Sequence, residues 1–145
     1  MPEVVYVNSS WAGLPAGTVV GPGMIIGTNA FATIQEGVNA VATQGTVQVA
    51  AGLYNEPLIN VLRPMQLHGA QYGVDARTRS GSSDQESIVQ GNIANGTFVL
   101  TAEAIVIDGL RFKTTQLDRA YRQRILLRDS GFSIILFAIM SSESI

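Results

Sequence analysis

Asp108 and Arg111 stand three positions apart in Ile105-Val106-Ile107-Asp108-Gly109-Leu110-Arg111-Phe112, with a glycine between them. Gly109 permits a bend there, so a carboxylate and a guanidinium could share one surface. They are the chain's two catalytic nominees. Glycoside hydrolysis needs two carboxylates at a defined separation, and no second acid is placed beside Asp108. The pair therefore reads first as a solvated pair beside a turn. A second charged set, Asp75, Arg77, Arg79, Asp84 and Glu86, lies in a polar stretch from Gln71 to Glu86. Calcium would need six to eight converging oxygens, and the arginines would repel it. That stretch reads as a surface loop, with Arg77 and Arg79 kept as ligand candidates for an acidic sugar. His68 is the sole histidine, which excludes a His-rich metal site; beside an inward Leu67 it should face outward as a plain surface residue. No Gly-x-Ser-x-Gly elbow and no phosphate-binding glycine loop is present. Cysteine is absent as well, so no thiolate chemistry is available. Neither a metal nor a cofactor is expected.

Aromatic side chains carry a different chemistry, because a flat ring stacks on the apolar face of a pyranose. Trp11, Tyr54, Tyr72 and Tyr121 are the candidates. Trp11 and Tyr72 fall in expected loops and become the ligand-binding nominees. Tyr54 reads as structural. Charge argues against a general nucleic-acid binder: nine Lys+Arg against eleven Asp+Glu give a net −2, without the basic surplus such a protein carries.

What must position these groups is a chain of short strands. Charged residues are only 14 %, fifteen residues are glycine, and long amphipathic patterns are rare. Five alternating stretches superpose with anchors Val49, Leu67, Val89, Ile107 and Leu127, at steps of 18, 22, 18 and 20 residues. Gly69, Gly91 and Gly109 each follow an anchor by two places. Such a step is too long for tight hairpins and too short for a βαβ crossover, which takes about 30 residues or more. It fits one coil of a parallel β-solenoid, with an antiparallel β-sandwich as the competing reading. One segment is helical. Thr33-Ile34-Gln35-Glu36 has the capping-box form, and Phe31, Ile34, Val38 and Val41 make an apolar stripe. Gly45 is its expected stop, and Gly37 inside it costs about 1 kcal/mol against alanine. A helix placed before the first coil suits a cap over the open end.

The segments Phe31–Ala40 and Gly45–Glu56, with Met65-Gln66-Leu67-His68-Gly69-Ala70 and Ile105–Phe112, resemble pectin-lyase-like right-handed β-helix proteins. The opening coils are closest to pectinesterases. The resemblance spans residues 28 to 115 and implies an all-β fold: a short right-handed parallel β-helix of about five coils with an N-terminal helical cap. It also implies a carbohydrate-related role, and members of the superfamily are often secreted or surface-exposed. Pectinesterases use a nucleophilic and an acid–base Asp with an Arg and glutamines, and no segment here matches those motifs.

The chain is expected to form one domain: strand and loop over 1–29, capping helix over 30–44, coils over 45–133, and a closing or interface segment over 134–145. No secretory signal opens it, and its most apolar run, Ile134 to Met140, is far short of the roughly 20 residues a spanning helix needs. No membrane partner is expected. Six of the nine basic residues lie between Arg111 and Arg128, and that stretch reads as a solvated face. Beyond it Ile135, Leu136, Phe137, Ile139 and Met140 crowd together without alternation. They are expected either to close the last coil or to meet a second copy in a homodimer. The functional expectation is a non-catalytic module of structural or carbohydrate-binding type, with a pectinesterase- or lyase-like enzyme as the alternative.

Overall fold

The computed structural model describes residues 1–56, 58–74, 78, 84–90, 98–114, 125–127 and 134–142, in backbone alone from residue 112 onward. The chain begins with β1 (Val4–Val7), β2 (Val19–Gly21), β3 (Met24–Ile25) and β4 (Ala30–Phe31). Helix α1 (Ile34–Ala40) follows, then β5 (Thr46–Val49), β6 (Gly52–Asn55) and β7 (Ile59–Val61). Next come β8 (Gln66–His68), β9 (Ser87–Gln90) and β10 (Phe98–Leu100). The last described strands are β11 (Ile105–Thr114), β12 (Ile125–Leu127) and β13 (Ile134–Ser142). The fold is therefore mostly strand with one short helix.

Pairing is parallel everywhere except in the β2–β3 hairpin. One stack runs β4-β1-β5-β8-β11-β13, using the first half of β11. A second runs β6-β9-β11 through residues Leu110 to Lys113, and a third runs β7-β10-β12. From β5 onward the strands of the three stacks alternate along the chain: the returns from β5 to β8 and from β8 to β11 each pass through the other two stacks. The glycine bend at Gly109 lets the ten-residue β11 serve two stacks at once, with a register shift there against β13.

Equivalent side chains pile up in rows. Val5, Val47, Leu67 and Ile107 are opposite one another on four strands and all but inaccessible to water. Tyr54 and Val89 do the same in the second stack, as do Ile59 with Phe98 and Val61 with Leu100 in the third. Burying each such side chain stabilises the fold by about 1.5–3 kcal/mol. Every second residue of a strand faces the same side. Burial alternates accordingly in β1, β5, β7 and β8, whereas β9 and β10 are buried at consecutive positions.

The five expected anchors do not form one ladder. Leu67 is opposite Ile107 as expected, but Val47 rather than Val49 is its other neighbour. Val89 lies between Tyr54 and Phe112, and Leu127 beside Leu100. The similar spacing of the anchors was coincidental: along the first stack the true equivalents are Val47, Leu67, Ile107 and Leu136, at widely unequal intervals. Connections of different length at the corners, above all between Gly69 and Ser87, destroy the period.

Helix α1 is shorter than the expected 30–44 span. Phe31 belongs to β4, Val41 is the C-cap, and Gly45 lies beyond the helix end. The capping box is present as read: the Thr33 hydroxyl accepts from the Glu36 N–H, and the Glu36 carboxylate accepts from the Thr33 N–H. A further acid completes it. Buried Glu56 accepts from the Ile34 and Gln35 N–H groups at 2.7 and 2.9 Å, holding the helix start onto the second stack. Burial pushes its carboxyl above the ordinary glutamate value, against the pull of those two donors. At the other end Arg63 donates to the Asn39 carbonyl. Near the helix start the Gln35 amide exchanges two hydrogen bonds with the Asn60 backbone. Gln35 thus acts as a strand would on the open edge of β7. Gly37 is explained by contact, because a Cβ there would meet Val7 Cγ2 at 2.6 Å. Replacing Glu56 by alanine removes one of two caps and is expected to cost about 1–2 kcal/mol in urea unfolding, with Glu56→Gln retaining part of it. An unchanged Glu56→Ala midpoint would show that the capping box alone holds α1.

Tyr54 confirms its structural reading. It is buried, and its phenol donates to the Ala50 carbonyl at 2.8 Å, with the Val7 carbonyl at 3.3 Å. Burial pushes the phenol up to about 12, outweighing the Ser9 groups that act oppositely, so the donor keeps its proton.

Candidate functional site

The outward row of the first stack holds unlike groups that the register brings together. Tyr6, Gln48, His68 and Asp108 are successive partners on β1, β5, β8 and β11. Adjacent members are separated by the strand spacing of about 4.8 Å. A phenol, an amide, an imidazole and a carboxylate thus form a line across the sheet.

Segments leaving these strands build walls beside that line. After β1, Asn8 accepts from the Ser10 N–H and starts a single 3-10 turn, Ser9–Trp11, which presents Trp11. After β8, the chain turns at Gly69 to Tyr72, and the Tyr72 N–H donates to the Gly69 carbonyl. The two turns flank β5 from its opposite neighbours. Between them lies an open cleft of about 580 Å³ whose lining includes Tyr6, Trp11, Met24, Gln48, His68 and Tyr72.

Asp108 and its neighbour Gly109 hold the second wall. The Asp108 carbonyl accepts from Gly69, its carboxylate accepts from the Gly73 N–H at 3.1 Å, and the Gly109 carbonyl accepts from Gln71. The Tyr72 ring then stacks on His68, with centroids 3.8 Å apart and planes 20° from parallel. His68 Nε2 lies 2.9 Å from the Gln66 amide oxygen. Burial lowers the His68 pKa, and the Asp108 charge opposes that shift. One face of the imidazole is covered by Tyr72, while Tyr72 itself stays 54 % exposed.

The sequence nominees separate into three groups. Trp11 and Tyr72 share the cleft. Asp108 is nearly buried beneath the turn that carries Tyr72, and Arg111 extends to Glu86, 3.3 Å away. Arg77 and Arg79 lie outside the described residues. Ile135, Leu136, Phe137, Ile139 and Met140 belong to β13, whose backbone pairs with β11; their side chains lie outside the described residues. Sequence reasoning missed Tyr6 and Gln48, and it treated His68 as plain surface. The one available signal was that each occupies an outward position of an alternating stretch. Among the described residues no group of three or more metal-ligating side chains converges.

No family profile, curated protein or solved structure matches this chain.

Proposed function

We propose that the chain is a short right-handed parallel β-helix of the pectin-lyase-like kind, serving as a non-catalytic module that binds carbohydrate in the cleft between Trp11 and Tyr72. Three stacks of parallel strands visited in rotation support the β-helix reading, with α1 laid against its first rungs. The observation that carries the binding reading is the meeting of two aromatic walls over a polar line. Rings stack on the apolar faces of sugars, and the Gln48 amide and His68 imidazole supply donors and acceptors for hydroxyl groups. The line crosses the strands, so an extended polymer lying along it would meet a new strand at each step.

The non-catalytic part rests on how the two nominees are engaged. An oxygen of Asp108 holds the Gly73 N–H, and Arg111 is paired with a buried acid. Both are used in positioning the fold. A glycan array probed with the wild-type protein and Trp11→Ala tests the reading. Binding should fall about thirtyfold in the variant, the scale of losing a buried aromatic anchor. Turnover of a polysaccharide, lost in Asp108→Asn with the fold intact, would replace this reading with the enzymatic one.

Self-association belongs to the same proposal. Among the described residues β13 pairs with β11 alone, leaving the far side of a nine-residue strand as a sheet edge. Such edges are templates for another chain, and two copies meeting about a twofold axis would cover both. Light scattering should report about twice 15.4 kDa. A monomer at high concentration would remove this part.

A further inference from the structure

We infer that the cleft selects a neutral, hexose-type oligosaccharide and discriminates against polyuronates. The inference rests on the reading of the cleft as a saccharide site and adds the chemical class of its ligand.

The described lining carries aromatic rings, the amides of Asn8 and Gln48, an imidazole and apolar side chains, and none of it is Lys or Arg. Binding a chain of carboxylates would call for guanidinium or ammonium partners, which supply the strong charge-assisted hydrogen bonds. The described arginine side chains are committed elsewhere: Arg63 donates to the end of α1, and Arg111 pairs with Glu86. The polar line itself contains an acid. Asp108 is the register partner of His68, so a carboxylate seated over His68 would meet a like charge. His68 does little to compensate, because its burial favours the neutral ring at pH 7. Hydroxyl groups meet no such penalty. Neutral pyranoses offer an apolar face to Trp11 and Tyr72 and a polar rim to Gln48, His68 and Asn8.

Calorimetry on the full chain at pH 7 with cellotetraose, chitotetraose and tetragalacturonate decides the matter. At least one neutral tetramer should bind about tenfold or more tighter than the uronate, and Trp11→Ala should weaken that binding about thirtyfold. Uronate binding that equals or exceeds the neutral affinity, and that Trp11→Ala abolishes, overturns the inference while leaving the cleft a saccharide site. Silence with all three tetramers overturns both. Circular dichroism of the variant checks that its fold is retained, and Trp11→Phe, which keeps a ring, should restore part of the neutral affinity.

Discussion

Replacing Gly109 by alanine is expected to destabilise the protein by about 4 kcal/mol, summing the strain of a left-handed backbone with the cost of overpacking. Gly109 has φ +82°, and a Cβ there would strike the Tyr72 backbone nitrogen, with Gln71 C at 2.7 Å and Tyr72 Cα at 2.8 Å. These are main-chain atoms, so no side chain can swing aside. Gly109 also marks the bend at which β11 passes from one stack to the next, so relief by moving that strand would break pairing on both sides. Gly23→Ala provides the control. Its φ is +71°, but nothing lies within 4 Å of the added carbon. It should cost only about 1 kcal/mol, the strain alone. Equal losses in urea unfolding would show that the close approach at Gly109 contributes nothing. Any folded Gly109→Ala protein should also bind saccharide more weakly, because the turn bearing Tyr72 has been displaced.

Arg111→Met is expected to produce a loss of similar size, about 3–5 kcal/mol, by a different route. Glu86 is 1 % exposed, one of its oxygens has no partner among the described residues, and the other faces the Arg111 guanidinium. Removing the cation leaves a buried carboxylate without compensation. The melting midpoint should drop by about 10 °C for a chain of this size. Glu86→Gln introduced into Arg111→Met should recover most of the loss, since the charge that required a partner is gone. A small effect of Arg111→Met alone would mean that water or another donor reaches Glu86. Arg111→Met acts on the scaffold away from the cleft, Gly109→Ala acts on the scaffold and on the turn bearing Tyr72, and Trp11→Ala acts on the binding chemistry.

Local signals were readable in the sequence, and long-range register was not. The capping box of Thr33 and Glu36 is a contact between residues three apart, so its residue types announce it. The second cap, Glu56, lies over twenty residues away in the chain and is visible only once β6 is placed against α1. Alternation revealed that strands such as Thr46–Val49 and Gln66–His68 each have one buried side, but pairing Val47 with Leu67 depends on corner lengths that alternation does not encode. The superposed anchors failed for that reason. Trp11 and Tyr72 stood out as large rings in expected loops, and both line the cleft. Tyr6, Gln48 and His68 had no such mark, because their significance is a shared row on three strands far apart in sequence. Gly37 misled in the opposite way. Helix propensity treats it as a weakness, whereas the space beside Val7 admits nothing larger.

Trp11 is the only tryptophan of the chain, so its emission reports on the cleft without interference from another indole. Titration of the protein with the neutral tetramer that binds in calorimetry, followed by tryptophan fluorescence, tests the saccharide-binding cleft most directly. Emission should shift to shorter wavelength as the sugar displaces water from the ring, saturating at the same midpoint as the heat of binding. Saturable binding by calorimetry with no change in Trp11 emission would contradict it, since the sugar would then occupy some other surface.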